Sequence, residues 1–232
     1  MKYFIKLIIP FLACLSIFIS CSDDDAGIPR DEEIIDQLLT DSLLNIVEGF
    51  LDINRGTNPP SLENTYFVSP QILEDSNRPS DNAGMQFVDL TLQVVDQNSD
   101  NLTAAIFTRE GSISVSTGQG GFVIGEDNNF TIFVEALSIN NNNIDSAVVL
   151  DVFSGTLEND GIRNFQRLLI LTEDFGDPNN VFIEIGESRL IIDSDGFSPI
   201  VDVDLTNGRF KDTGIIDENN IINSSLSSSE PN

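Results

Sequence analysis

The sequence Phe-Thr-Ile-Phe-Val-Glu-Ala at residues 130–136 has an apolar side chain at every second position: Phe130, Ile132, Val134 and Ala136. A period of two is that of a β-strand with one buried face, because successive side chains point to opposite faces of a sheet. The same alternation recurs at residues 88–94, 148–152, 181–185 and 201–205. The chain therefore repeats a strand pattern over most of its length.

Turn signals rich in Asn, Asp and Gly separate these segments, at residues 96–101, 110–111, 118–121, 126–129, 140–143, 159–161, 174–180 and 194–197. The glycine-rich turn at 118–121 lacks the Lys-Ser/Thr end of a phosphate-binding loop and is predicted as a hairpin turn. Many short strands with hairpin-length links predict a mainly β fold of antiparallel strands, either an up-and-down barrel or a β-sandwich. Residues 61–211 are numerous enough to form this domain with its own core.

One amphipathic helix is predicted ahead of the sheet, over residues 31–50. Its apolar residues follow three- and four-residue steps, at Ile34, Ile35, Leu38, Leu39, Leu43, Ile46, Val47 and Phe50. Acidic residues in the first turn suit the positive end of the helix dipole. We expect the helix to pack against the β-domain, and we expect residues 212–232 to form a polar tail.

The N-terminus has the order of a secretory signal peptide. Lys2 and Lys6 precede an apolar stretch from Leu7 to Ile19, which ends in Ser20 and Cys21. The stretch is shorter than the roughly 20 residues that a membrane-spanning helix needs. With cysteine at the cleavage point, residues 1–20 resemble a bacterial lipoprotein signal, which implies that Cys21 becomes the acylated first residue.

The residues that follow the cysteine resemble a second signal. Ser22, Asp23, Asp24 and Asp25 are similar to the export signal of Bacteroidetes surface lipoproteins, which implies an outer-membrane protein that faces the medium. A solvated acidic spacer is the alternative interpretation of such a charge run. Residues 21–30 are then a lipidated tether. Cys14 is a second cleavage candidate, but cleavage there leaves an apolar stretch on the mature end.

Composition excludes several classes of function. Removal of residues 1–20 leaves nine basic residues against 38 acidic ones, which argues against binding of nucleic acid or of anionic lipid headgroups. The chain has no His and no Trp, and Cys21 is the one cysteine left after cleavage. Histidine triads, imidazole zinc sites and thiolate nucleophiles are therefore absent from the sequence. We predict no enzyme, with a hydrolase that uses carboxylates alone as the last alternative.

The start of the β-domain resembles a group of lipocalin-like Bacteroidetes lipoproteins, through residues 58–66 (Asn-Pro-Pro-Ser-Leu-Glu-Asn-Thr-Tyr) and Val68-Ser69-Pro70. The resemblance extends from Leu62 to Asp193; it implies a barrel and says little about the ligand. The eight to ten predicted strands suit an up-and-down barrel of the kind that holds one small apolar ligand. Lipocalins open their first strand with Gly-x-Trp, whereas Asn64 and Tyr66 stand at these positions here.

Four carboxylates form a candidate metal site. Asp193 and Asp195 precede Gly196 in a tight turn, and Asp202 and Asp204 follow shortly after. Calcium takes six to eight oxygen ligands, and Asp-x-Asp-Gly turns often supply some of them. The spacing does not match an EF-hand loop, so the sequence predicts at most a structural calcium ion and no other cofactor.

Scarce cations and a short glycosylation sequence give the remaining candidates. Arg163 and Arg167 either pair with neighbouring acids or contact an anionic ligand. Ser146 and Ser42 each follow Asp, in a sequence that resembles the O-glycosylation site of exported Bacteroidetes proteins. Ser146 follows an Asn-rich loop and is expected to be the more accessible of the two.

The sequence thus predicts a non-enzymatic, lipid-anchored surface protein. It would bind a small ligand or an envelope protein through a lipocalin-like β-domain. The alternative is a structural or adhesive module with a filled core and no ligand. A hollow barrel interior would favour a small ligand, and a filled one a structural or partner-binding surface module.

Overall fold

The computed structural model describes residues 30–140, 145–177 and 179–206. The predictions for the signal peptide, for Cys21 and Ser22–Asp25, and for the tail at 212–232 fall outside these residues. Within the described part of the chain, no helix is long and apolar enough to cross a bilayer.

The described residues form two short helices followed by ten strands, and the predicted mainly β, antiparallel fold is confirmed. The helices are α1 (Asp31–Leu38) and α2 (Asp41–Phe50). The strands are β1 (Thr65–Val68), β2 (Gln71–Ser76), β3 (Leu90–Asn98), β4 (Thr103–Glu110), β5 (Ser114–Glu126), β6 (Asn129–Asn140), β7 (Ser146–Glu158), β8 (Gly161–Glu173), β9 (Ser188–Asp193) and β10 (Phe197–Pro199).

The sheet closes into a barrel through β10. The order of paired strands is β1-β3-β4-β5-β6-β7-β8-β9-β2, and β10 pairs with the first residues of β8. The chain just after β10 reaches β1, where Ile200 bridges Tyr66 and the Val201 amide donates to the Thr65 carbonyl at 2.9 Å. A ring of β1, β3–β8 and β10 results, and β9 and β2 extend the sheet from the second half of β8.

Alternating side chains fill the inside of this ring. Buried apolar residues of seven ring strands form one cluster, which includes Tyr66, Leu92, Ile106, Val123, Ile132, Phe153 and Phe165. Intervening side chains of the long strands, such as Phe133 and Val152, point outward and pack with buried residues of α1 and α2. The helices therefore cover one outer face of the sheet, as predicted.

The single predicted helix is two helices in the structure. Leu39 has an extended backbone (φ −111°, ψ 128°), and Thr40 then begins α2 as its N-cap. The Thr40 Oγ1 accepts a hydrogen bond from the Leu43 amide at 3.3 Å. This local bond competes with continuation of the first helix, which explains the break.

The hairpin turn predicted at residues 118–121 is wrong, because these residues lie inside β5. The register with both neighbouring strands shifts at this point, so the glycines form a bulge. A Cβ on Gly118 would lie 2.0 Å from Val134 Cγ2, and Gly120 has φ +76°. Glycine is therefore required here by the close packing at position 118 and by the left-handed backbone at position 120. The chain does not reverse at these residues.

Two of the predicted strands are also absent from the structure. At residues 181–185, the Asp177 carboxylate accepts the Val181 and Phe182 amides, each at 2.9 Å, so these amides do not join a ladder. Residues 201–205 run beside β1 and β3, and beyond the Val201 amide bond to the Thr65 carbonyl they are held by side chains. There the Thr65 hydroxyl donates to the Val203 carbonyl, and the Leu205 amide donates to Gln93 Oε1.

Candidate functional site

Arg167 lies inside the barrel, bonded to two carboxylates from different strands. Its Nε and one terminal nitrogen donate to Asp151 on the adjacent β7, at 2.6 and 3.1 Å. The other terminal nitrogen donates to Glu110 on β4 at 2.5 Å, across the barrel interior. The guanidinium carbon is also 5.8 Å from the centre of the Phe153 ring. Arg167 therefore links two walls of the barrel from within.

Burial and opposite charge act against each other in this ion-pair network. Arg167 is 1% exposed, and its removal from water lowers its pKa, but the two carboxylates outweigh this and raise its pKa overall. Desolvation raises the pKa of Asp151. Since solvent does not reach Arg167 and its two carboxylates, this ion-pair network suits a structural role rather than a catalytic one.

Both arginines pair with acids in the structure, which is the first of the two interpretations that the sequence left open. Arg163, on the exposed start of β8, bonds Glu158 at 2.5 and 3.0 Å and lies 5.6 Å from the Phe197 ring centre. Its hydrogen bonds lower the pKa of Glu158. The carboxylates occupy the sites at which an anionic ligand would bind, so the geometry does not support the alternative for either arginine.

A second buried arginine, which sequence reasoning missed, holds the loop after β2 onto β9. Arg189 donates to both oxygens of Asp81, at 2.7 and 2.9 Å, and lies over the Phe87 ring. Arg78 joins Asp81 to Glu187. Desolvation acts to raise the pKa of Asp81, but the bonds and charge of Arg189 outweigh it and lower the pKa.

The four predicted calcium ligands do not form one site. Asp193 is buried and accepts from the Ser198 hydroxyl at 2.6 Å, while Asp195, Asp202 and Asp204 are exposed. Asp195 and Asp204 accept bonds from nearby backbone amides. Among the residues that the structure describes, no three acidic side chains are grouped to hold a cation.

Asp193 has an unusual environment of a different kind. It lies directly opposite Gln71 in the β2–β9 ladder, and both residues are buried. Asp193 Oδ1 and Gln71 Oε1 are buried oxygens without a hydrogen-bond partner in the described part of the chain. Burial raises the pKa of Asp193 to about 6, and the charge of Asp195 adds to this effect while the Ser198 bond opposes it. A proton on Asp193 would turn a buried acceptor into a donor.

We expect the stability of the protein to fall as pH rises through the titration of Asp193. Between the ordinary value of 3.8 and about 6, the folded state binds more protons than the unfolded state. The free energy of unfolding should therefore decrease over this window, by up to about 3 kcal/mol. Histidine is absent from the chain and does not mask the effect.

Urea unfolding of the wild type and of D193N, measured by circular dichroism from about pH 4 to 7.5, tests this expectation. The difference between the two proteins should change across the window and be constant above it. In the control variant D195N, the loss of the neighbouring charge should move the decrease to lower pH. Parallel curves for the wild type and D193N would contradict the assignment.

Two overlapping cavities form a shallow groove at one end of the barrel, next to the β7–β8 turn. Their volumes are about 290 and 350 Å³, and both are open to solvent. Asn128, Leu157, Glu158 and Asn159 line both of them. Tyr66, the one Tyr or Trp among the described residues, is fully buried elsewhere. The groove therefore offers amides, the paired carboxylate of Glu158, the carboxylate of Asp160 and the ring of Phe197, but nothing from this tyrosine.

The predicted order of accessibility for the two candidate glycosylation serines is wrong. Ser146 is the first residue of β7, where it pairs with Ile139 and is half-buried. Ser42 is exposed on the first turn of α2. The Asn-rich loop before Ser146 suggested exposure, but the strand begins immediately at this residue.

These observations define a small, acidic, antiparallel β-barrel whose interior is occupied by its own side chains. The chain matches no known protein family, and it has no match among curated proteins or solved structures.

Proposed function

We propose that the chain is a non-enzymatic, lipid-anchored outer-membrane protein whose outer surface binds an envelope protein. The filled barrel interior carries this proposal. Apolar side chains from seven strands and the Arg167 network occupy the space in which a lipocalin-like protein would hold a ligand. A binding partner would therefore meet the outside of the barrel.

The electrostatics agree with a surface module. Arginines at positions 30, 55, 78, 163, 167 and 189 form ion pairs within the chain. The remaining surface is dominated by acidic residues, since the formal net charge is −27. Such a charge keeps an exposed domain soluble and favours cationic partners over anionic ones.

The anchor is tested by metabolic labelling of cells that express the full chain with a clickable palmitate analogue. The wild type and C14S should be labelled, whereas C21S should lose all label, because acylation requires the Cys21 thiol. Protease added to intact cells should digest the wild type. The D23A/D24A/D25A variant should stay labelled but become resistant, because it lacks the proposed export signal. Label that persists in C21S, or is lost in C14S, would contradict the anchor.

A further inference from the structure

Two large apolar side chains are exposed on the connection between β8 and β9. Phe175 is 58% exposed and Ile185 is 56% exposed. In the same connection Phe182 and Ile183 are buried in a core cluster with Leu169 and Leu171. The connection is thus attached to the core by Phe182 and Ile183, whereas Phe175 and Ile185 remain exposed to water.

The turn that carries Phe175 is held in place by carboxylates. Glu173 accepts the Phe175 amide at 3.0 Å, and Asp174 accepts the Gly176 amide at 2.8 Å. Phe175 itself has φ +51°, a left-handed backbone that is rare for a bulky residue and costs free energy. The fold therefore keeps an aromatic ring exposed in a conformation that glycine or asparagine would adopt more easily.

The turn that carries Ile185 is similarly fixed. The Glu184 amide donates to the Glu187 carboxylate, which is also bonded by Arg78 at 3.1 Å. The Gly186 amide donates to the Leu171 carbonyl at 2.8 Å. Leu171 thus connects the two turns, because Gly186 is bonded to it and Phe175 follows it by four residues, at most about 14 Å of chain. We call the two turns, residues 173–176 and 184–187, the distal tip.

The distal tip lies at the end of β8 opposite to the point where the tether enters the domain. At the start of α1, Asp31 accepts the Gly56 amide, and Gly56 bonds Gly125 just before the β5–β6 turn. This turn is beside the β7–β8 turn, since Asn129 pairs with Thr156. From there β8 runs for 13 residues, roughly 40 Å of strand, to the distal tip.

We propose that the distal tip is the docking surface for a protein partner with an apolar recess bordered by Lys or Arg. This inference rests on the proposed function, to which it adds the place and chemistry of binding. Phe175 and Ile185 would enter the recess, and the surrounding carboxylates, Glu173, Asp174 and Glu184, would meet the cationic border. Because hydrogen bonds already hold both turns, they lose little conformational entropy on binding, which favours affinity.

A membrane is the less suitable occupant of this surface. Carboxylates adjoin both apolar residues, and an acidic border is repelled by anionic headgroups. The tip also points away from the end at which the lipid tether would hold the domain. We therefore commit to a protein and leave insertion into lipid as an outcome of the test.

Site-specific photo-crosslinking in living cells tests the proposal, with benzoyl-phenylalanine placed singly at positions 175, 185 and 159 of the full chain. Asn159 is an exposed residue of the groove at the other end of β8 and serves as the matched control. Positions 175 and 185 should form an adduct with the same protein, through a segment that contains Lys or Arg. Position 159 should not form this adduct. Washing cells into about 0.5 M NaCl before irradiation should reduce the adduct several-fold.

Each other result has a definite meaning. Adducts from 159 but not from 175 and 185 would overturn the distal tip and leave the proposed partner binding intact. No protein adduct from any of the three positions would overturn both. Adducts with lipid alone, or with an acidic segment, would overturn the stated chemistry.

The variant E184Q examines the charge separately from the apolar contact. Glu184 is exposed and its side chain has no hydrogen bond to other described residues, so neutralisation should not disturb the turn. With the crosslinker at 175, E184Q should lower the adduct yield about two- to fivefold and weaken its dependence on salt. An unchanged yield and salt dependence would contradict charge complementarity at the tip.

Discussion

Replacement of Arg167 by methionine should destabilise the protein by about 3–5 kcal/mol. The variant R167M leaves Asp151 and Glu110 inside the barrel without their cation, and both are almost completely buried. The loss is large because each carboxylate keeps the cost of its desolvation but loses the opposite charge that offset it. The measurement is urea unfolding followed by far-UV circular dichroism, since the chain has no Trp for fluorescence.

Arg163 provides a matched control on the same strand, four residues away. Its ion pair with Glu158 is exposed, so R163M should leave the unfolding midpoint nearly unchanged. The triple variant R167M/D151L/E110M replaces the whole network with apolar side chains and should recover most of the lost stability. If R167M unfolds at the same urea concentration as R163M, the buried ion-pair network of Arg167 does not stabilise the barrel.

Much of the fold follows from local sequence pattern. Strands β3 and β6 were predictable because one face meets the core and the other is more polar, as in residues 130–136. Strand β8 contains the continuous apolar run Leu168–Leu171, buried on both faces, in which alternation disappears. Gly118–Gly121 was misread because bulge glycines and turn glycines have the same composition, and register across strands separates them.

The candidate sites were harder to predict because their partner residues come from distant parts of the chain. Arg167 and Arg163 are four residues apart and look alike in the sequence, yet one spans the barrel and the other is exposed. The partners Glu110 and Asp151 are far away along the chain, so only the strand order brings them together. In the same way, nothing local to Asp193 indicates that Gln71 lies opposite to it.

Removal of the Phe130 side chain should both destabilise the barrel and create a binding cavity in it. Phe130 is fully buried in the interior cluster, and its ring lies close to Gly155, where a Cβ would be 3.5 Å from Phe130 Cζ. Truncation of a buried Phe to Ala costs about 3–5 kcal/mol, whereas the conservative variant F130L should cost less. An apolar cavity of this kind stays free of water and binds small apolar molecules such as xenon.

The wild type and F130A should therefore respond differently to xenon under pressure. Xenon should raise the thermal unfolding temperature of F130A and leave that of the wild type unchanged, because a ligand stabilises only the state that binds it. F175A removes an equally large but exposed ring and should neither lose much stability nor gain xenon binding. If xenon stabilises the wild type as strongly as F130A, the natural interior already holds space for a ligand. A carrier of small apolar molecules would then replace the surface module as the preferred function.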